Sequence, residues 1–216
     1  MKKEIEEAVR ASRIIAIVRN FPTETCLKLA EAYAIGGIRL MEVAFNPKCP
    51  ETWGETAQSI WAIGDRFAGT IHVGAGTVLT VEQLSMMEDA GGEYMVAPNV
   101  NPSLIRECVR RGLAAMPGAL TPTEAIVAHE AGASFVKVFP AGVLGPGYVK
   151  ALATPLPHIP MLAVGGVSME NVGAFIKAGC VGAGVGGNLT NREWVAACEW
   201  GKISAVAREL MARSRE

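Results

Sequence analysis

Eight short apolar runs, each separated from the next by a longer stretch, set the strongest constraint on how this chain folds. They are IIAIV (residues 14–18), RLMEVAF (39–45), IHVGAG (71–76), YMVAP (94–98), LAAMP (113–117), FVKVF (135–139), MLAVG (161–165) and GAGVG (182–186). Each is mostly apolar rather than strictly alternating, as expected of parallel strands covered on both faces. The stretches between them carry helix start signals. Thr23 is read as the cap of TETCLKLAEAYAI, which Gly36-Gly37 ends. Thr80 and Gln83 stand at capping-box spacing. Asn101-Pro102 and Thr121-Pro122 each set a proline at the first helical position. Ser168 is read as opening SMENVGAFIKAG, and the longest helix is placed over residues 192–212.

Alternation of strand and helix predicts a parallel sheet with right-handed crossovers. Eight units of roughly 25 residues close into a (β/α)8 TIM barrel, read as one domain over residues 1–216. A short N-terminal helix, residues 2–11, precedes the first strand and is positioned to plug the barrel's N-terminal end. The rival is an open doubly wound sheet. It lacks support, because no GxGxxG follows the first strand with an acidic residue about 20 positions on.

Composition removes several function classes. Half of the residues are apolar, enough for a large core. Twenty basic residues face 21 acidic ones, with no basic run or stripe, so no footprint for nucleic acid or an anionic membrane is present. A small anion site needs only a few backbone N–H groups and leaves no such footprint. MKKEIEEAVRAS is charged and helical in pattern rather than a signal peptide, and the run 14–18 is too short to span a bilayer. Cys26, Cys49, Cys108, Cys180 and Cys198 are scattered without CxxC spacing, which reads as reduced thiols in a cytoplasmic protein. No His/Cys/Asp spacing suggests a metal, and no cofactor motif occurs.

In such a barrel, chemistry belongs at the C-terminal ends of the strands. Lys137 lies inside an apolar strand, on the same face as Phe135 and Phe139. Desolvation lowers the pKa of a lysine, and a neutral amine attacks a ketone to form an imine. The alternative is a lysine that snorkels to the rim or joins a structural ion pair. Glu42 is a carboxylate in a similar setting and can shuttle protons for imine chemistry. Its alternative is a buried ion pair with Lys137, a poor stabiliser once desolvation is counted. Arg19 ends the first strand and offers a fork for a carboxylate or phosphate, or else a surface charge. Thr77 follows glycines after the third strand, Asn46 ends the second, and Pro98 ends the fourth. Gly165-Gly166 and Gly186-Gly187-Asn188 follow the seventh and eighth strands. Barrels of this kind often bind phosphate there, with a helix N-terminus supplying N–H groups. Two tight turns without a ligand are the alternative.

The strings GGIRLMEVAF, VGAGTVLT, PGALTPTEA, FVKVFPA, VLGPGYVKAL, PHIPMLAVGGVS and GVGGNL, spread over residues 12–212, together resemble the 2-keto-3-deoxy-6-phosphogluconate / 4-hydroxy-2-oxoglutarate aldolase family. That resemblance implies a class I, metal-free Schiff-base mechanism acting on a small, phosphorylated 2-keto acid, and a homotrimer. It implies that Lys137 is the Schiff-base lysine and Glu42 the general acid/base. It further implies that Thr77 binds in the pyruvate pocket, that Pro98 and Phe139 wall it, and that Gly165, Gly166 and Gly187 form the phosphate loops. Three positions depart from the pattern. Many relatives read E-V-T-x-R where this chain has Glu42-Val43-Ala44-Phe45-Asn46, so a carboxylate-binding arginine is missing, and Arg19 is the candidate to replace it. Many also read T-G-G where this chain has Val164-Gly165-Gly166, which loses a hydroxyl. Two rivals stay open from the residues: a phosphate-binding barrel isomerase without covalent catalysis, and a catalytically silent metabolite-binding barrel.

Overall fold

The computed structural model describes all 216 residues. In chain order it contains α1 (Lys2–Ser12), β1 (Ile14–Arg19), α2 (Thr23–Ile35), β2 (Leu40–Ala44) and a 3₁₀ turn (Pro50–Thr52). Next come α3 (Trp53–Arg66), β3 (His72–Gly76), α4 (Val81–Asp89), β4 (Tyr94–Val96), α5 (Pro102–Arg110), β5 (Ala114–Met116) and β6 (Gly118–Ala119). The remainder is α6 (Pro122–Glu130), β7 (Val136–Val138), α7 (Ala141–Ala153), β8 (Met161–Val164), α8 (Val172–Lys177), β9 (Cys180–Val185), α9 (Arg192–Ala196) and α10 (Trp200–Arg213). All strand pairs are parallel, in the order β5-β4-β3-β2-β1-β9-β8-β7-β6. This is a nearly closed TIM-like barrel with helices between its strands.

Nine strands form where eight runs were read, and Pro117 is the cause. The fifth run ends at this residue, which has no N–H to give a ladder, and an unread two-residue strand, β6, follows it. β5 pairs with β4 and β6 pairs with β7, so the seam of the barrel falls at Pro117, between the end of the fifth run and β6. Lys137 N–H donates to the Pro117 carbonyl at 2.9 Å and Phe139 N–H to that of Ala119 at 3.1 Å, tying the short segment after the fifth run to β7.

Hydrophobic burial divides into two clusters. The larger lies between the sheet and the helical ring. The smaller fills the barrel interior and includes Ile15, Leu40, Tyr94, Val96, Phe135, Leu162 and Val164, with Ile5 and Val9 of α1 packed against them. The N-terminal helix therefore does plug the lower end.

The capping readings at Thr80, Asn101 and Thr121 match the structure, and both capping boxes close reciprocally at Thr80/Gln83 and Thr121/Glu124. Thr23 does not cap: Pro22 takes the N-cap position, and the Thr23 hydroxyl pairs instead with Ser59 at 2.9 Å. Ser168 does not open a helix either. The Asn171 side chain accepts from Ser168 N–H and donates to the Gly166 carbonyl, closing a turn that delays α8 to Val172. The last helix is broken at residues 197–199, where Cys198 sits at φ 56 between α9 and α10. α3 and α7 begin without side-chain caps, which explains why no start signal marked them. No helix is long and apolar enough to cross a membrane.

Candidate active site

Period two along the strands decides which side chains enter the barrel mouth. β1 turns Ile15, Ile17 and Arg19 inward, β2 turns Leu40 and Glu42 inward, and the seventh strand carries Phe135, Lys137 and Phe139 up the same face. The lower members of each series pack into the interior cluster, and the upper members open into a cavity of about 370 Å³. Its lining contains Arg19, Glu42, Thr77, Pro98, Lys137, Phe139, Gly165, Gly166, Gly187 and Asn188. Ten of the residues singled out from the sequence thus meet in one cavity. Three other lining residues, Ile17, Val167 and Gly184, were not anticipated. Ile17 was readable as the residue two before Arg19. Gly184 lies where an added Cβ would come within 3.1 Å of Ile17 and Val164, so glycine keeps the floor open.

Lys137 and Glu42 are 7% and 2% exposed, values unusual for either residue type and decisive for their chemistry. Burial pushes the Lys137 ammonium below the usual lysine range, opposed by the Glu42 carboxylate and reinforced by Arg19. Burial raises the Glu42 carboxyl, opposed by Lys137 and Arg19. The two groups feel each other's charge, yet neither takes part in a salt bridge or a side-chain hydrogen bond within the protein. A purely structural ion pair would close that contact, so the geometry disfavours that reading. Lys137 Nζ lies 4.8 Å from the Phe139 ring centroid, a cation–π contact available to its charged form. Gly76 leaves room for the carboxyl, because a Cβ there would meet Glu42 Oε1 at 2.4 Å.

The rim supplies binding groups. Arg19 is exposed and makes no ion pair, while its backbone carbonyl accepts from Arg192. Thr77 holds a left-handed φ of 57°, rare for a β-branched residue and a sign of local strain at the mouth. Asn46 does not reach the cavity. Its Oδ1 accepts from Lys48 N–H, and it lines a neighbouring cavity together with Ala44. Asn46 therefore contributes no group to this cavity.

The glycine loops after β8 and β9 face each other across one wall of the cavity. Asn188 Nδ2 donates to the Val167 carbonyl at 2.9 Å and joins them. Gly165 and Gly166 take φ 87° and 78°, left-handed values that glycine adopts at no Cβ cost. The backbone N–H groups of Gly166, Val167, Gly187 and Asn188 donate to no protein acceptor. Such a set of free amides fits an anion. The sequence reading assigned these donors to helix N-termini; they come from the loops instead, since α8 and α9 begin several residues later. No group of three or more His, Cys, Asp or Glu side chains converges elsewhere.

Comparison with known proteins bears on this geometry. The family model described as KDPG and KHG aldolase matches residues 5–206. The chain belongs to the KDPG and KHG aldolase family. It is 40% identical over 177 residues to the 2-dehydro-3-deoxy-6-phosphogalactonate aldolase of Escherichia coli K12, covering 82% of this chain and 83% of that one. It is 33% identical over 208 residues to the 2-dehydro-3-deoxy-phosphogluconate aldolase of Treponema pallidum, covering 96% of each. Among solved structures, one described as native KDPGal superposes with a TM-score of 0.83 at 36% identity, covering 94% of both chains. Membership in the KDPG and KHG aldolase family makes the chain a carbon–carbon lyase.

Proposed function

We propose that the chain cleaves a phosphorylated 2-keto-3-deoxy sugar acid to pyruvate and an aldehyde phosphate through a Schiff base on Lys137. The observation that carries this reading is a buried lysine, its pKa lowered by burial, and a buried carboxyl in one cavity, unpaired in the protein, opposite a wall of free amides.

The steps follow from the groups present. The Lys137 amine attacks the C2 ketone, and Glu42 moves protons as the carbinolamine loses water. The resulting iminium draws electrons from the C3–C4 bond, which breaks as the C4 hydroxyl gives up its proton. The aldehyde leaves, Glu42 returns a proton to C3 of the enamine, and water releases pyruvate. Arg19 and the Thr77 hydroxyl hold the substrate carboxylate. Pro98 and Phe139 wall the keto-acid end, and Gly165, Gly166, Gly187 and Asn188 hold the phosphate. Val164 offers no hydroxyl to the sugar chain. Sequence likeness makes the 6-phosphogalactonate acid the first substrate to assay, with the 6-phosphogluconate and 4-hydroxy-2-oxoglutarate compounds beside it. The chemistry asks nothing of a metal or organic cofactor.

Borohydride reduction in the presence of pyruvate, followed by peptide mass analysis, tests the assignment. A reduced pyruvyl adduct on Lys137, absent in Lys137→Ala, is the expected result. Turnover retained in Lys137→Ala would turn the reading to a non-covalent barrel isomerase, and ligand binding without turnover would turn it to a silent metabolite binder. A homotrimer is part of the proposal. Exposed Leu120, Ile126 and Val143, on the segments flanking β7, support association through an apolar surface. Sedimentation equilibrium at three times the chain mass is the expected outcome, and a monomer at micromolar concentration would refute it.

A further inference from the structure

Tyr94 stands where a phenylalanine would fill the same space. Its ring is fully buried in the barrel interior beside Leu40 and Phe135, and its hydroxyl has no hydrogen-bond partner. A buried donor left unpaired is costly, so an orphaned hydroxyl in the barrel interior calls for a physical account.

Position along the sheet gives that account. Glu42 pairs with Gly74 in the β2–β3 register, and on the other side of β3 the Ala75–Met95 pairing sets Tyr94 beside Gly74. A Cβ on Gly74 would lie 2.6 and 2.7 Å from Tyr94 Cδ2 and Cε2. The ring therefore lies across Gly74 and carries its hydroxyl toward β2, where the Met41 backbone and the Glu42 charge are its polar neighbours. One layer higher, Glu42 leans over Gly76, the next glycine of the same strand face. Having no side chains, Gly74 and Gly76 admit the Tyr94 ring and the Glu42 carboxyl to adjacent positions on one strand face.

We propose that Tyr94 is a positioning residue for Glu42, its O–H donating through one bridging water to the ionised carboxylate. This rests on the reading of Glu42 as the proton-transferring group. The phenol keeps its own proton throughout: burial and the charges of Glu42 and Glu93 hold its ionisation far above the usual tyrosine range. It is a donor and not a relay. The charged groups around the pair are few. Glu42 faces Lys137 from β7 and Arg19 from β1, while Glu93, beside Tyr94, is paired with His72 at 2.9 Å. Lys137 and Arg19 act from above and Tyr94 from below, so the carboxylate is held from both sides of its layer.

Tyr94→Phe removes the hydroxyl and keeps the packing. In protein carrying ¹³C-carboxyl glutamate, the Glu42 signal is assigned by its loss in Glu42→Gln. The expected result is a Glu42 titration midpoint raised by about half a pH unit or more in Tyr94→Phe. The acid limb of kcat/KM moves with it, and KM for the keto acid is unchanged. Superimposable Glu42 titrations in the two proteins would overturn the proposal, because a hydroxyl that only fills space leaves that midpoint alone. Borohydride trapping on the same two proteins separates the failures. A missing Lys137 adduct in both defeats the aldolase reading, while the titration still decides whether Tyr94 and Glu42 are coupled.

Discussion

Glu42 shows what a single buried group asks of the fold. Its carboxyl is raised in the folded chain by burial, more than Lys137 and Arg19 lower it. The folded state therefore binds a proton more readily than the unfolded one. Its contribution to stability is fully present below the ordinary glutamate range and is lost as pH rises through the raised value. Glu42→Gln removes this penalty. Urea unfolding of that variant is expected to show higher stability than the parent at neutral pH and a flatter profile between the two midpoints. Formation of the Lys137 adduct by the same variant is expected to slow by about 10²–10⁴-fold, the range for loss of a general acid/base. A variant that is stabilised and still fast would remove Glu42 from the chemistry. Stability is given up where the reaction is carried out.

Glycine loops act at the scale of the element. Gly166 holds φ 78°, and a Cβ placed there would come within 3.1 Å of Gly142 Cα, the first turn of α7. Gly166→Ala is expected to destabilise by about 1–3 kcal/mol from backbone strain. It is also expected to raise KM for a phosphorylated substrate while pyruvate trapping on Lys137 proceeds as in the parent. Equal losses for both ligands would mean that the loop supports the whole cavity rather than an anion. The loops take this role because their amides have no other acceptor, whereas the helices that follow them start too late to contribute their own ends.

Across the whole molecule, closure of the barrel and its plug depend on distant segments. Ile5 and Val9 of α1 are fully buried against strands from several parts of the sheet. Ile5→Ala is expected to cost about 2–5 kcal/mol, read as a lower urea midpoint with an unchanged slope. A midpoint within error of the parent would mean that the interior is sealed without the helix. The seam at Pro117 works at the same scale, since its two short strands join the two ends of a sheet that no local signal orders.

Sequence by itself determined the strand–helix rhythm, the parallel sheet, the plugging helix and the ten residues of the cavity, because each rests on local information. Apolar period, cap chemistry and a charge set inside an apolar run are all readable within a few residues. Tertiary structure alone decided the rest. Pro117 reads as the end of a strand until the barrel closes around it. Thr23 reads as a cap until Ser59 pairs with its hydroxyl, and Ser168 until the Asn171 side chain closes a turn ahead of α8. Asn46 reads as a site residue until its side chain folds back on its own loop. Tyr94 reads as one more core aromatic until the fold lays its ring across Gly74 and leaves its buried hydroxyl without a partner. In each case the deciding partner lies on a neighbouring strand or loop, and the balance between competing hydrogen bonds is struck only when the fold brings that partner within reach.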